Sequence, residues 1–590
     1  MDRTAWIAVA LCVIGLLVWE IYLAKQMAPR PAPVNVAPGQ ASPTATPAIV
    51  SASPLPTPVA EAAPSTSPTP SFAEKIETLR NSDVELRLTN RGGGISEAVM
   101  LNHIAEGDRR VILNSPKQTP IGAIIDQPTA PSLPEFTLSR DAEGSVRCER
   151  ATSDGITTRK KFSFHQTNEK KDQFLVDLAV NVVNAGAQPY TSGDYFVAVG
   201  SAVPIHSRDY PLYTRLVWCI DGTTTDKNIT SFQAGSGFLG LGAHGPQPVF
   251  QQNFGGAEWT AVTDQFFATI IAPLGAKATG IWGRSFEVSA SPQMIGIAGA
   301  MRMPGFQLQA GQSYTARFQI WAGPKIYHRL AQLGQNEAEI MFGGGRFPII
   351  STIIKLATQS LLNFLNTIHG VVKSYGVAIL VLTLIIRLVL WPLQSKANQT
   401  MRKTALLGPK MQELREKYKD DPTRMNQELM KLYKQYGINP VGGCLPMMIQ
   451  IPIFFGLYQM LAQAVELRNV RFLWVRDLSQ PDTLFVIPGL GWIPILGIPG
   501  IGLPINIIPL LMAATQVWLM AMTPKTGDPT QRRVMMFMPL IFLLFCYNFA
   551  AALALYYTAQ NLFSILQFYQ NKRQPMPTLE KVAPAGKRKR

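Results

Sequence analysis

The stretch Leu382–Trp391 reads LTLIIRLVLW and sets one guanidinium, that of Arg387, inside an otherwise apolar run. The run continues in both directions, from Gly376 to Leu393, with Arg387 as the twelfth of eighteen residues. A helix of that length comes close to covering the hydrocarbon of a bilayer, about 30 Å thick, at about 1.5 Å per residue. Arg387 then lies roughly 10 Å from one end. An arginine there has two readings. Its stem lies along the helix while the charge reaches the headgroups, or the charge faces a wet pocket inside the membrane.

Four further runs have similar length and polarity: Cys444 to Ala464, Ile505 to Met522, Val534 to Phe549, and Ala551 to Phe568. None of the five contains Asp, Glu or His. A buried charge with no counter-ion costs from about 3 to beyond 10 kcal/mol, so Arg387 must meet water or an incoming anion. Thr383 lies one helical turn before it. The other runs carry Gln450, Gln459, Gln516, Asn548, Tyr556, Tyr557, Gln560 and Asn561. Singly, such residues serve as helix-to-helix glue; gathered around one arginine, they line a wet cavity.

The whole chain of 590 residues is too long for one ordinary core. It is 47% hydrophobic and only 16% charged, the balance of a membrane protein with a soluble part attached. Its net charge of +16 is concentrated in basic segments beside the apolar runs, where Lys and Arg report topology and can also attract nucleic acid, ribosome surface or anionic lipid. Of five cysteines, Cys12, Cys444 and Cys546 lie in apolar runs. Cys148 and Cys219 share the soluble region, and whether they pair is left open.

At the start, residues 1–24 contain sixteen uncharged residues from Thr4 to Trp19, read as a retained signal-anchor helix. Residues 25–71 are rich in Pro, Ala, Ser and Thr and form a tether that cannot bury enough apolar surface to fold. From 72 to 325, period-two alternation recurs in VELRLTN, FLVDLAVNVVN and SYTARFQIW, where Tyr314, Ala316, Phe318 and Ile320 share a face. This is a large all-β domain, read as a sandwich. Residues 326–372 form a connector ending in an amphipathic helix. Ile350, Ile353, Ala357, Leu361, Phe364 and Ile368 make its greasy face, opposite Ser351, Lys355, Thr358, Asn363 and Asn366, as suits a helix in the membrane interface.

Residues 373–570 hold the five spans. The loop Gln394–Asn439 carries ten basic residues against five acidic, Val465–Pro504 three against three, Pro524–Arg533 three against one, and the tail from Asn571 seven against one. With six spans, all the basic segments fall on one side, the cytoplasm, and the β-domain on the other. Within the first loop, Asp421 before Pro422 reads as an N-cap, Gly437 as a stop, and Met425, Leu429, Leu432 and Tyr436 as one stripe. A helical hairpin over 395–437 follows, either a solvated pair or a docking arm. The insert 482–504 has Gly and Pro spaced to defeat a straight helix, and is read as a re-entrant or interfacial loop.

What is missing narrows the function. Proton-coupled transport needs titratable groups at membrane depth, and an intramembrane serine protease needs a base. Neither is offered by these spans. H-E-x-x-H and Walker motifs are absent from the chain, so no catalytic residue, metal or cofactor is expected and the chain is read as no enzyme.

The blocks TLIIRLVLWPLQSKANQTMRK, MKLYKQYGINPVGGCLPMMIQIPIFFGLYQML, DPTQRRVMMFMPLIF and LALYYTAQNLFSILQ, in this order and spacing, resemble the YidC insertases of the wider Oxa and Alb family. The resemblance covers most of Tyr375 to Gln567; RGGGISEAVML and QIWAGPKI are similar to the periplasmic domain of Gram-negative members. It implies a polytopic α-helical membrane protein of six transmembrane helices, five of them an insertase core, with a periplasmic β-supersandwich. By resemblance the family's groove arginine falls on Arg387, the threonine a turn before it on Thr383, and a substrate-contacting tyrosine on Tyr557. Gln450 and Gln516 join them as groove candidates. The insert near Ile487–Pro504 is longer than the family pattern.

The expected function is a bacterial inner-membrane insertase and chaperone, with both termini cytoplasmic, taking nascent membrane proteins through a hydrophilic groove. Lys396, Arg402, Lys403, Arg415 and Lys417, with Lys587, Arg588, Lys589 and Arg590 of the 571–590 tail, would dock the ribosome. The Sec translocon, signal-recognition targeting factors and membrane lipids are further expected partners, and DNA is not. The alternatives are a small-solute channel or transporter, which would use the same polar residues as a pore, and a membrane-anchored ligand sensor built on the β-domain.

Overall fold

The computed structural model describes residues 72–572 apart from 116, 131, 167–172, 207–208, 236–244, 291–292, 343–347, 440–444, 494–495, 499–500 and 523–528. The signal-anchor reading, the tether and the basic tail with Lys587 to Arg590 lie outside these residues.

The alternating segments pair into antiparallel sheets. The largest runs in the order Thr223–Asn228, Arg215–Ile220, Trp259–Thr263, Phe267–Leu274, Ser313–Pro324, Leu175–Asn184, Ile156–Phe164, Val146–Ala151, Thr137–Arg140. A second sheet, ordered Val249–Ala257, Ala278–Ala290, Gln293–Met303, Tyr195–Ala202, Ile124–Ile125, packs against its centre. Along Ser313–Pro324 the inward residues Ala316, Phe318 and Ile320 are buried while Thr315 and Arg317 are exposed, as a strand with one covered face requires. Trp218, Trp259 and Trp321 fill the core, and Cys148 and Cys219 are buried free thiols. A four-stranded meander, Ile76–Arg80, Val84–Thr89, Gly94–Ile104 and Arg110–Leu113, flanks the sandwich. Lys160 reaches toward it through the interior. Its ammonium donates to the carbonyls of Gly92, Gly93 and Gly122 at 2.8, 3.1 and 3.2 Å and lies 4.8 Å from the centre of the Phe136 ring. The β-core does not stop at Lys325, because Leu330, Ala338, Ile340 and Met341 are buried in the same cluster.

The helices follow: α1 (Pro348–Val372), α2 (Tyr375–Leu406), α3 (Gly408–Lys417), α4 (Pro422–Gln435), α5 (Leu445–Gln463), α6 (Ile507–Met522), α7 (Pro529–Cys546) and α8 (Ala551–Lys572). Among the described residues, α2 alone is long and apolar enough for a single straight crossing; Ile507–Met522 and Met536–Cys546 are apolar but shorter. Helix α8 is the hub, packed on α6, α2 and α5, with Ala551 to Tyr557 buried all round. Helix α1 lies along α5 because Gly456 has no side chain: a Cβ there would come within 3.0 Å of Ala357. Thr358, on the expected wet face of α1, is buried at this contact with its hydroxyl toward the carbonyls of Ile354 and Gly456. Ile353, Leu356 and Phe364 are instead exposed. The helix is apolar on two sides, one packed on protein and one open, and a single-stripe reading cannot distinguish these.

Helices α3 and α4 form an antiparallel pair around Leu407, Met411, Leu429, Tyr436 and Ile438. Asp421 caps α4, its carboxylate accepting from the Arg424 amide at 3.0 Å. Within the insert 482–504, read from the sequence as a re-entrant or interfacial loop, Thr483–Ile487 pairs with Leu503–Asn506 as a β-hairpin. Helix α7 ends at Cys546, short of Phe549, where Tyr547 turns away to donate to the Pro504 carbonyl.

A polar seam joins the β-domain to the helices. Lys325 donates to the Asp264 carbonyl and to Gln463 of α5 at 2.9 and 3.0 Å; Gln265 donates to the Ala462 carbonyl at 2.7 Å. Arg468 stacks over Phe266 and Phe267 and donates to the Ile104 carbonyl, and Gln480 donates to Asp209. The end of α2 that bears Tyr375 therefore lies toward the β-domain side, and the α3–α4 pair projects from its other end.

Candidate intramembrane polar site

One face of α2 carries Thr383, Arg387 and Gln394, spaced four and seven residues apart, one and two helical turns. The helix passes through Pro392 without ending. Proline lacks the amide that would have met the Leu388 carbonyl, one residue from Arg387. Gln394 thus stays on the helix as a neighbour of the arginine, and its side-chain oxygen accepts from Arg387 Nη1. Arg387 is 9% exposed. Its head points along α2 toward the α3–α4 end, yet it remains covered.

Helix α8 supplies the opposite wall. Tyr556 is buried within electrostatic reach of Arg387 and shares a hydrogen bond with Gln450 of α5. Gln450 also donates to Gln560, one turn further along α8, at 3.5 Å. Gln394, Arg387, Tyr556, Gln450 and Gln560 thus form one polar array across three helices, with a single formal charge and neutral partners.

The remaining candidates have other surroundings. Thr383 is buried and its hydroxyl donates to the Ile379 carbonyl of its own helix at 2.6 Å, so it offers a methyl to its neighbours. Tyr557, turned about 100° from Tyr556 around the helix, packs edge-on to Phe454, Phe542 and Tyr556 with centroids 5.2–5.5 Å away. It forms an aromatic wall beside the array. Gln516 is half-buried on α6, and no hydrogen bond joins it to the array among the described residues. On α6 the polar contact to α8 is made one residue earlier, where Asn561 donates to Thr515 and to the Met512 carbonyl. Of the docking candidates, Lys396 and Lys417 are exposed, and Arg402, Lys403 and Arg415 half-buried.

Sequence reasoning missed Gln394 because the apolar run ends at Leu393 and Gln394 was counted as the first residue of the following loop, whereas the helix runs on to Leu406; it also chose between adjacent tyrosines without the helix rotation that separates them. The spacing of seven from Arg387 was the available signal. No cluster of potential metal ligands occurs among the described residues. The array offers charge attraction and hydrogen bonds in an apolar surround.

Two family models match the chain: YidC periplasmic domain over residues 77–351 and 60Kd inner membrane protein over 367–577. Relatives named membrane protein insertase YidC include one from Nitratidesulfovibrio vulgaris strain Hildenborough, 29% identical over 96% of this chain and 98% of its own. Another, from strain Miyazaki F of that species, is 32% identical over 70% and 68%, and one from Syntrophobacter fumaroxidans is 37% identical over 53% of each chain. Among solved structures, a YidC insertase crystal structure aligns over 85% of this chain and 94% of that one at 17% identity and a TM-score of 0.33. A putative aldose 1-epimerase from Escherichia coli K12 aligns with 42% of this chain at 13% identity and a TM-score of 0.26. Neither superposition is close enough to assign anything.

Proposed function

The chain belongs to the YidC family of membrane protein insertases, and from that premise we propose that it receives nascent inner-membrane proteins at the Arg387 array and releases them into lipid. The observation that carries this reading is a buried guanidinium whose neighbours are neutral, in spans without one carboxylate. A charged side chain at the bilayer centre costs about 2.5 to 3.5 kcal/mol even on the lenient insertion scale, so such a group persists where it has work to do.

An arriving chain brings an apolar helix and a short hydrophilic segment that must cross. Acidic residues of that segment are drawn to Arg387, while Gln394, Gln450, Tyr556 and Gln560 replace part of their lost hydration. A hydrophilic groove open to the cytoplasm shortens the dry path. The apolar helix slides past the aromatic wall of Tyr557, Phe454 and Phe542 into lipid, and its burial there drives the step without nucleotide hydrolysis by this chain. Six transmembrane helices place the β-domain in the periplasm and the α3–α4 pair in the cytoplasm. There Lys396, Arg402, Lys403, Arg415 and Lys417 receive the ribosome, with signal-recognition factors delivering substrates and the Sec translocon acting beside the chain for some of them.

The test compares Arg387→Ala with Arg387→Lys in cells depleted of the native protein, following a substrate whose translocated segment is acidic. Alanine should slow its insertion about tenfold, the loss of roughly 1.4 kcal/mol of attraction, with lysine retaining most of it. Normal insertion of acidic and neutral substrates by the alanine variant would remove Arg387 from the mechanism.

A further inference from the structure

The 24 residues from Thr483 to Asn506 contain no charged side chain and no histidine. They leave α5 and α6 on the side of the seam with the β-domain, yet the hairpin Thr483–Ile487/Leu503–Asn506 makes no extensive contact with that domain. Instead it leaves large apolar groups bare. Leu484, in the bulge between the paired residues Thr483 and Phe485, is exposed; Phe485 is 57% and Trp492 75% exposed. Phe485 and Ile487, two residues apart on one face of the strand, are both exposed.

A second turn presents a matching surface. Phe472 bridges to Val475, which throws Leu473 and Trp474 to the tip, and Leu473 takes a left-handed backbone, φ 52°, to stay there, 71% exposed. A bulky residue accepts that conformation at a cost. Exposed Arg471 and Arg476 stand on either side of the tip. Both elements are fixed to the same post. Asp482 accepts from the Trp474 indole at 3.3 Å and from the amides of Ile507 and Ile508 at 3.1 and 2.7 Å, capping α6. Asn506 donates to the Tyr547 carbonyl at 2.8 Å, closing the base of the hairpin. Below it the open side of α6 continues the apolar surface with Leu510, Leu511, Val517 and Trp518.

We propose that this hairpin and the Arg471–Arg476 turn form a lipid-interface platform at the outer end of α6, resting on the outer leaflet of the bilayer. The proposal rests on α6 being embedded in the membrane and is independent of what Arg387 does. The partner's chemistry follows from the residues. A charge-free ribbon carrying Trp, Phe and Leu matches the zone between headgroups and acyl chains, where tryptophan concentrates and flanking arginines meet phosphates. The depth follows from the backbone: a two-stranded ribbon has unpaired edge amides and carbonyls, which hydrocarbon cannot satisfy and the headgroup layer can. Apolar surface this size in water is otherwise an aggregation hazard.

The experiment uses the full chain in phosphatidylcholine vesicles and takes the difference in tryptophan emission between the wild type and Trp492→Phe. Against vesicles brominated on the acyl chains near the glycerol, that difference signal should fall roughly twofold, as expected of an indole at the interface, and aqueous acrylamide should leave it nearly unchanged. Moving the probe by Phe485→Trp in the Trp492→Phe background should give the same pattern. Quenching by acrylamide without quenching by bromine would place the hairpin in water and overturn the proposal. Protection from both would mean that protein, such as a second copy of the chain, covers it, and would overturn it equally.

Discussion

Two buried cations divide this molecule. Lys325, at the seam, is fully buried; burial, with Arg215 pushing the same way, lowers its ammonium well below the ordinary range, and the Asp264 carbonyl, the Gln463 amide oxygen and the attraction of the Asp264 carboxylate oppose that. That carboxylate accepts from the amides of Phe266 and Phe267, while burial pushes it up to about 6. Arg387, in the helical region, has an amide and a phenol for company and no carboxylate. The first site is complete without any ligand, as a structural joint should be. The second leaves an electrostatic need that no carboxylate among the described residues meets. A buried charge is evidence of function to the extent that its partners are too few and too neutral.

Lys325→Met should cut hardest into this comparison. Removing one member of a buried polar set leaves the others unmatched, at about 3–5 kcal/mol, and denaturant unfolding of the detergent-solubilised chain should show it, with Gln463→Leu weaker. A stability loss no greater than for an exposed lysine would mean that the joint is not what holds the two regions together.

Lys160 sharpens the contrast, since it too has neutral partners, but three backbone carbonyls saturate it. Burial, the largest influence, lowers its ammonium from 10.5 to about 7, with Arg150 pushing the same way and the Cys148 thiol opposing. Between these values the unfolded chain holds a proton that the folded chain has released. Its contribution to stability therefore rises with pH from about 7 toward 10.5, and the penalty is complete below that window. The rise in unfolding free energy over this range should be lost in Lys160→Met; identical slopes for both chains would contradict the assignment.

For Arg387 the same measurement should give little. Arg387→Met replaces a costly charge with a packed thioether and should leave stability unchanged or raise it, while insertion of acidic segments falls. A large destabilisation would put Arg387 in the same class as Lys325. Smallest is the α4 cap, where Asp421→Ala should cost about 1 kcal/mol of helix stability, visible as faster amide exchange at Arg424 with the β-domain unaffected.

The β-domain was legible because each strand repeats every two residues and one face must be covered, as at Ala316, Phe318 and Ile320. The apolar runs and the isolation of Arg387 could also be read along the chain. What could not be read was set by rotation and by distant partners. Gln394 lay just past the apolar run, on a helix that runs on to Leu406, and Tyr556 and Tyr557 differ only in which way the helix turns them. Thr358 is buried because Gly456, ninety-eight residues on, lets two helices touch. The hairpin at Thr483–Asn506 carries Gly and Pro at positions that exclude a helix without naming the alternative, and the seam depends on side chains up to 364 residues apart.

The most direct measurement is photo-crosslinking from a probe placed at Tyr557, and in parallel at Gln450, to ribosome-bound chains stalled while their first apolar segment is emerging. The account predicts adducts to that segment from both positions, with the Gln450 adduct weakened by Arg387→Ala when the flanking residues are acidic. Adducts to lipid alone from both positions, with substrates still inserting, would contradict it.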